Sequence, residues 1–174
     1  MTTISAFKAN LAQGGARPNQ FRVDLTFPAV NGGALAGQTA QILCKAASLP
    51  ASTIEDITVS YRGRPVHFAG ERSFQPWSVS IYNESNFLIR DAFERWNDLA
   101  LSYDATNGAV SSLQYQVQLK VHQLDRNDIP WKTYTFYDAY PTAVGAITLD
   151  FDSNNQIEMF DVEFVYNYFV PGNL

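Results

Sequence analysis

Two hydrophobic periods alternate along this chain, and they predict its elements. The period of two marks strands. Phe21, Val23, Leu25 and Phe27 alternate with Arg22, Asp24 and Thr26, a half-buried strand closed by Pro28 and an Asn31-Gly32-Gly33 turn. A short strand is expected over 40–45, carrying Ile42 and Cys44. Residues 53–69 read as an extended hairpin, Thr53–Arg62 and Arg64–Ala69, with Gly63 at the tip and only weak alternation. A strand over Phe74–Tyr82 places Trp77, Val79 and Ile81 on one face and Ser78 and Ser80 on the other. Leu113, Tyr115, Val117, Leu119 and Val121 alternate strictly with Gln114, Gln116, Gln118, Lys120 and His122, which puts one face in a core and a glutamine-rich face outside. Trp131–Tyr140 follows and is expected to end at Pro141. Ile147, Leu149 and Phe151, against Thr148, Asp150 and Asp152, predict a strand that turns at 153–156 into a last strand Ile157–Phe169.

The helical period occurs once. Over 86–101, Ile89, Ala92, Phe93, Trp96, Leu99 and Ala100 form a continuous apolar stripe. Arg90/Glu94 and Asp91/Arg95 are opposite-charge pairs four residues apart on the other face, and Ser85 or Asn86 can cap the start. The expected fold is mainly β: an antiparallel sandwich or partly open barrel of seven or eight strands, with this one helix packed outside. Residues 1–174 read as a single domain with an N-terminal arm, 1–19, and the hairpin arm, 53–69.

Composition narrows the class. With 46% hydrophobic and 17% charged residues, a 174-residue chain can bury a substantial core without disulfides or metals. Cys44 is the one cysteine, which excludes an intramolecular disulfide and a cysteine-cluster metal site. No apolar run approaches the roughly 18 residues of a spanning helix, and the N-terminus lacks a signal-peptide core, so no membrane insertion is expected and the default compartment is cytosolic. Net charge is −5, against the basic balance usual for nucleic-acid binders. The distribution is uneven. Residues 1–72 carry seven basic and four acidic side chains, net +3, and residues 73–174 five and thirteen, net −8. Two unlike halves suit a chain whose surfaces meet across subunit boundaries.

Catalytic chemistry finds no support. His67 and His122 lie far apart in strand patterns and read as structural. Asp150-Phe151-Asp152-Ser153-Asn154 has the composition of a calcium loop but lacks its glycine and distal glutamate. No phosphate-cradling glycine loop occurs, so no catalytic residue, metal or cofactor is implied. The weakly amphipathic hairpin cannot be stable alone. Arg62, Gly63 and Arg64 at its tip are therefore expected to form an assembly arm, because exposed charges add little to folding.

Several short blocks carry a family resemblance in order. They are Arg17-Pro18-Asn19-Gln20-Phe21, the run Cys44–Ala51, Ala69–Phe74 followed by Trp77, Pro141–Gly145, Leu149–Asn155, and Ile157, Phe160 and Val162. Together these resemble the tail tube proteins of contractile-tailed bacteriophages. Val30–Gln38 and the tail Val170–Leu174 depart from the pattern. The resemblance implies hexameric rings of this chain stacked into an inner tube, with sheath, baseplate and tail-terminator proteins as partners. It further implies DNA passing through the lumen without specific binding, and a virion component assembled in the host cytoplasm. A type VI secretion-like tube is the alternative, and a monomeric β-sandwich binding module is a second. Because basic walls would retain duplex DNA, the solvent-side rows Gln114, Gln116, Gln118 and Thr148, Asp150, Asp152 are candidates to line the lumen.

Overall fold

Most of the alternating runs become antiparallel ladders. The computed structural model describes residues 3–11, 15–29, 32–104, 108 and 111–172. In order it has α1 (Ile4–Asn10), β1 (Phe21–Asp24), α2 (Gly33–Leu43), β2 (Cys44–Ala47), β3 (Ser52–Tyr61), β4 (Arg64–Phe74), β5 (Trp77–Tyr82), α3 (Leu88–Ala100), β6 (Val117–Leu124), β7 (Pro130–Val144), β8 (Met159–Val165) and β9 (Tyr168–Gly172). Seven strands join in the order β1-β6-β7-β8-β5-β2, with β9 also on β7; β3 and β4 pair only with each other. The ladder does not close, so β1 and β2 are its ends. This is the mainly β, partly open architecture expected from the patterning.

Strand β7 divides the sheet in two. Its first part pairs with β6 and β9, and Tyr140–Val144 pairs with β8. Asp138 takes a positive φ of 55° at the change of partner. The Asn167 side chain, between β8 and β9, donates to the Asp138 carboxylate at 2.9 Å and so ties the two breaks together.

The inward residues of both halves meet in one aromatic core. Trp77 stacks on Phe136 with ring centroids 4.4 Å apart, and Phe164 packs beside it. Helix α3 lays Ile89, Ala92, Phe93 and Trp96 over this core, all of them buried. Phe93 meets Phe160 and Phe164 edge-on, and Trp96 meets Phe164. Full burial of such a side chain stabilises the fold by roughly 1.5–3 kcal/mol. Both buried indoles find acceptors: Trp77 donates to the Ser48 carbonyl at 2.8 Å, and Trp96 to the Tyr115 carbonyl at 2.7 Å. The helix starts at Leu88, two residues later than expected, and Phe87 rather than Ser85 or Asn86 is its N-cap. Phe87 adopts the left-handed conformation just before it, and the Asn86 and Glu84 side chains accept from the backbone N–H groups of Leu88 and Ile89. Both expected ion pairs form, Arg90–Glu94 at 2.9 Å and Arg95–Asp91 at 3.9 Å.

Several boundaries differ from the patterning, each for a local reason. Residues 40–43 are helical, not extended: Gly33, Ala36, Gly37 and Ala40 form a small-residue stripe that lets α2 press against the chain after β1. A Cβ at Gly37 would lie 2.6 Å from the Leu25 carbonyl oxygen, so only glycine fits there. Leu113 and Gln114 belong to a 3-10 turn, Ser112–Gln114, capped by the Ser111 hydroxyl, and the strand starts only at Val117. Pro141 does not end β7; it sits at a shift in register, where a missing N–H is tolerated. Residues 147–152 are not a strand, and the run 157–169 splits into β8 and β9 around Tyr166 and Asn167. The N-terminal arm contains a short helix, α1. The described residues therefore hold nine strands and three helices, against seven or eight and one. Val30, Asn31, Asn173 and Leu174 lie outside the described residues.

Candidate functional site

The hairpin β3–β4 is built to project. Arg62 and Gly63 both take positive φ, 49° and 79°, the backbone of a two-residue hairpin turn whose twist matches its strands. Nothing lies within 4 Å of where a Cβ would stand on Gly63. The pairing sets Ile57 opposite Phe68, Val59 opposite Val66 and Tyr61 opposite Arg64, so five large apolar side chains share one face. All five are exposed. The other face is polar. The Asp56 carboxylate accepts from the Thr58 hydroxyl at 2.8 Å and pairs with His67 Nδ1 at 2.7 Å. The weak alternation read from the sequence is thus corrected: from Asp56 to Tyr61 it is strict, and the register shift between Ile54 and Asp56 disguises it.

A second exposed surface lies in the acidic half. Residues 146–159 curl into an open groove of about 740 Å³ lined by Leu149, Asp150, Phe151, Ile157 and Glu158 among others. Its apolar members Leu149, Phe151 and Ile157 are strongly exposed. Both ends are held. The Gly145 N–H donates to the Asp161 carbonyl at 2.7 Å, and Arg90 donates to the Gly145 carbonyl at 3.0 Å. At the far end the Asn83 N–H and side chain reach the Glu158 carbonyl and carboxylate at 2.8 and 2.9 Å.

The two candidate lumen rows do not survive as rows. Thr148, Asp150 and Asp152 lie in this irregular segment, all exposed, with Asp150 turning back to accept from the Asp152 N–H and the Ser153 hydroxyl. Gln114 is in the 3-10 turn, Gln116 precedes β6, and only Gln118 stands on the outward face of a strand. The tip residues Arg62, Gly63 and Arg64 are brought together as expected.

Ionisable groups elsewhere serve the fold. His122 is buried, its Nε2 3.0 Å from the Asp24 carboxylate and its Nδ1 2.8 Å from the Thr133 hydroxyl. Asp24 also accepts from Arg22 and Gln41, which links β1, β6, β7 and α2. Burial pushes the Cys44 thiol up to about 11. No cluster of three or more metal-ligating side chains occurs among the described residues.

Exposed apolar surface on the projecting hairpin and in the groove of 146–159, beside a filled core, is the mark of a subunit rather than of a catalyst. The phage tail tube protein family model matches residues 16–171. The chain belongs to the phage tail tube protein family. Tail tube protein gp19 of Enterobacteria phage T4 is 30% identical over 155 residues, 88% of this chain and 90% of its own. The tail tube protein of Serratia phage KSP90 is 24% identical over 168 residues, 95% of each chain. Among solved structures, one from the anti-feeding prophage cap superposes with a TM-score of 0.63 at 12% identity over 92% of both chains. Another, from the sheath–tube complex of an extracellular contractile injection system, gives 0.60 at 11% identity over the whole of both chains. These two share the fold. Tail tube proteins are structural virion components, and the family match spans both the hairpin and the groove segment. The resemblance carried by the short sequence blocks is therefore correct at the level of family.

Proposed function

We propose that this chain closes into homohexameric rings that stack head to tail into the inner tube of a contractile tail, a conduit for DNA ejection inside a sheath. The carrying observation is the hairpin whose five-residue apolar face is exposed. A free hairpin of this kind needs a partner surface, and a family of tube-forming proteins makes that surface another copy. The open ladder supports the same reading. Its unpaired edges invite aggregation unless neighbours cover them, and a head-to-tail contact terminates only when the rotation closes. The opposite charge of the two halves suits such a contact between unlike surfaces.

Membership of the tail tube family supports sheath, baseplate and tail-terminator proteins as partners of the tube, which on this reading is assembled in the host cytoplasm. The lumen is the outward face of the sheet, where the uncharged and acidic side chains of Gln118 on β6, Ser78 and Ser80 on β5, Asp24 on β1, and Asp161 and Glu163 on β8 outnumber the cations Arg22 and Lys120. Such a wall lets DNA slide. Helix α3, with its paired charges, lies on the outside of the ring.

Electron microscopy of the concentrated protein tests this directly. Rings with an open centre, or tubes built from them, are expected. A strictly monomeric protein at millimolar concentration defeats the assembly reading. A tube whose lumen is dominated by Lys and Arg, or shows Arg90, Glu94 and Arg95, defeats the account of DNA passage alone.

A further inference from the structure

Two surfaces of this chain are unpartnered and complementary. One is the hairpin tip, where the Arg62 guanidinium sits 5.4 Å from the Tyr61 ring centroid and Arg64 stands opposite Tyr61 across the turn. It offers an aromatic ring flanked by two cations. The other is the groove of 146–159, which offers exposed Leu149, Phe151 and Ile157 beside the carboxylates of Asp150 and Glu158, with exposed Asp152 just outside the lining on the same segment. Both groove ends are tied by hydrogen bonds to the sheet and to α3. A receptor anchored in this way loses little freedom when filled.

We infer that the groove of 146–159 is the docking site for the hairpin tip of a second copy of this chain. Tyr61 enters among Leu149, Phe151 and Ile157, and Arg62 and Arg64 meet Asp150 and Asp152 at the rim. Charge selects the occupant. The segment from Asp138 onward carries six acids and no Lys or Arg, so a basic aromatic tip fits it and an acidic one is repelled. Burying the apolar members on both sides supplies the attraction, and the ion pairs set the register. The contact is heterologous, tip into groove, so it repeats from copy to copy as a stack requires. This inference rests on the tube reading above and adds to it the receiving surface.

Charge reversal tests it in the full chain. Arg62→Glu with Arg64→Glu, and separately Asp150→Arg with Asp152→Arg, should each raise the protein concentration needed for tubes by about tenfold or more. All four changes in one chain should restore assembly. Circular dichroism and melting should show every variant folded as the wild type is, since all four side chains are exposed. If wild type forms tubes and either reversed pair leaves them unchanged, the groove is not the receiver, although the tube stands. If both pairs weaken assembly but the fourfold variant does not recover, the two surfaces do not meet each other. If wild type forms neither rings nor tubes, the assembly reading falls and this contact with it.

A disulfide trap decides which chain supplies the tip. In tubes of Arg64→Cys with Asp152→Cys, oxidation should yield a ladder of covalently joined copies on a non-reducing gel. An internally bridged monomer would instead place the tip in its own groove and overturn the inference. The native Cys44 does not compete, because its thiol is partly buried and pushed up to about 11.

Discussion

Helix α3 and the hairpin β3–β4 each present an apolar stripe, and the structure gives the two stripes opposite fates. On α3, Ile89, Phe93 and Trp96 are wholly buried against the aromatic core. On the hairpin, Ile57, Val59, Tyr61, Val66 and Phe68 are all exposed. Periodicity states which face of an element is apolar. It does not state what covers that face, and in a subunit the cover is divided between the chain itself and its neighbours. The difference separates two kinds of stability, that of the fold and that of the assembly.

The sharpest way to break this division is to truncate each stripe. Phe93→Ala removes a ring that touches Phe27, Phe160 and Phe164, and should cost about 3–5 kcal/mol in urea unfolding. A loss below about 1 kcal/mol would mean that α3 is not part of the core. On the hairpin, Val59→Ser with Phe68→Ser should abolish tubes while moving unfolding of the isolated subunit by only about 0.5 kcal/mol. Loss of the folded subunit in that variant would erase the distinction.

The two histidines give an intermediate version of the same comparison. Replacing His122 by alanine removes the partner of the Thr133 hydroxyl and of one Asp24 oxygen, while Arg22 and Gln41 still donate to the other, and should cost about 1–3 kcal/mol. His67, exposed on the polar face of the hairpin beside Asp56, should cost about 0.5 kcal/mol or less. Equal losses at the two sites would show that the hairpin's polar face is as much a part of the fold as the sheet's. Parallel urea titrations of the two alanine variants make the measurement.

What was legible in the sequence follows the same line. Helix α3 was readable to its ion pairs because its stripe is long and its buried face is covered from within the chain. Strand β5, with Trp77, Val79 and Ile81 inward, was readable for the same reason. Helix α2 was not, because its buried face is glycine and alanine and contributes almost no hydrophobic signal; spacing of small residues at 33, 36, 37 and 40 was the available clue. Residues 147–152 alternate as a strand does, yet they join no ladder; Ile147 packs against the core, and Leu149 and Phe151 are exposed. The lumen rows were lost with that strand. The acidic and apolar character of the segment was visible from the start, but its groove depends on the anchors at Gly145 and Glu158, which no local pattern contains.

The last expected effect lies in alkaline solution and belongs to the core region alone. Burial raises the Cys44 thiol from 9.0 to about 11, and burial also raises the Tyr166 phenol. Between these two values an unfolded chain has given up the thiol proton while the folded chain still holds it. The unfolded state then binds fewer protons, so stability falls as pH rises. The contribution is intact below about pH 9 and is lost progressively toward about pH 11. Urea midpoints should therefore decline across this window in wild type and decline less in Cys44→Ala, the remainder belonging to Tyr166. The hairpin variant Val59→Ser with Phe68→Ser should keep the full wild-type slope, since neither titrating group lies on the hairpin. An unchanged slope in Cys44→Ala would remove the thiol from the account. A flattened slope in the hairpin variant would do more damage, because it would couple the projecting arm to the core that the comparison holds apart.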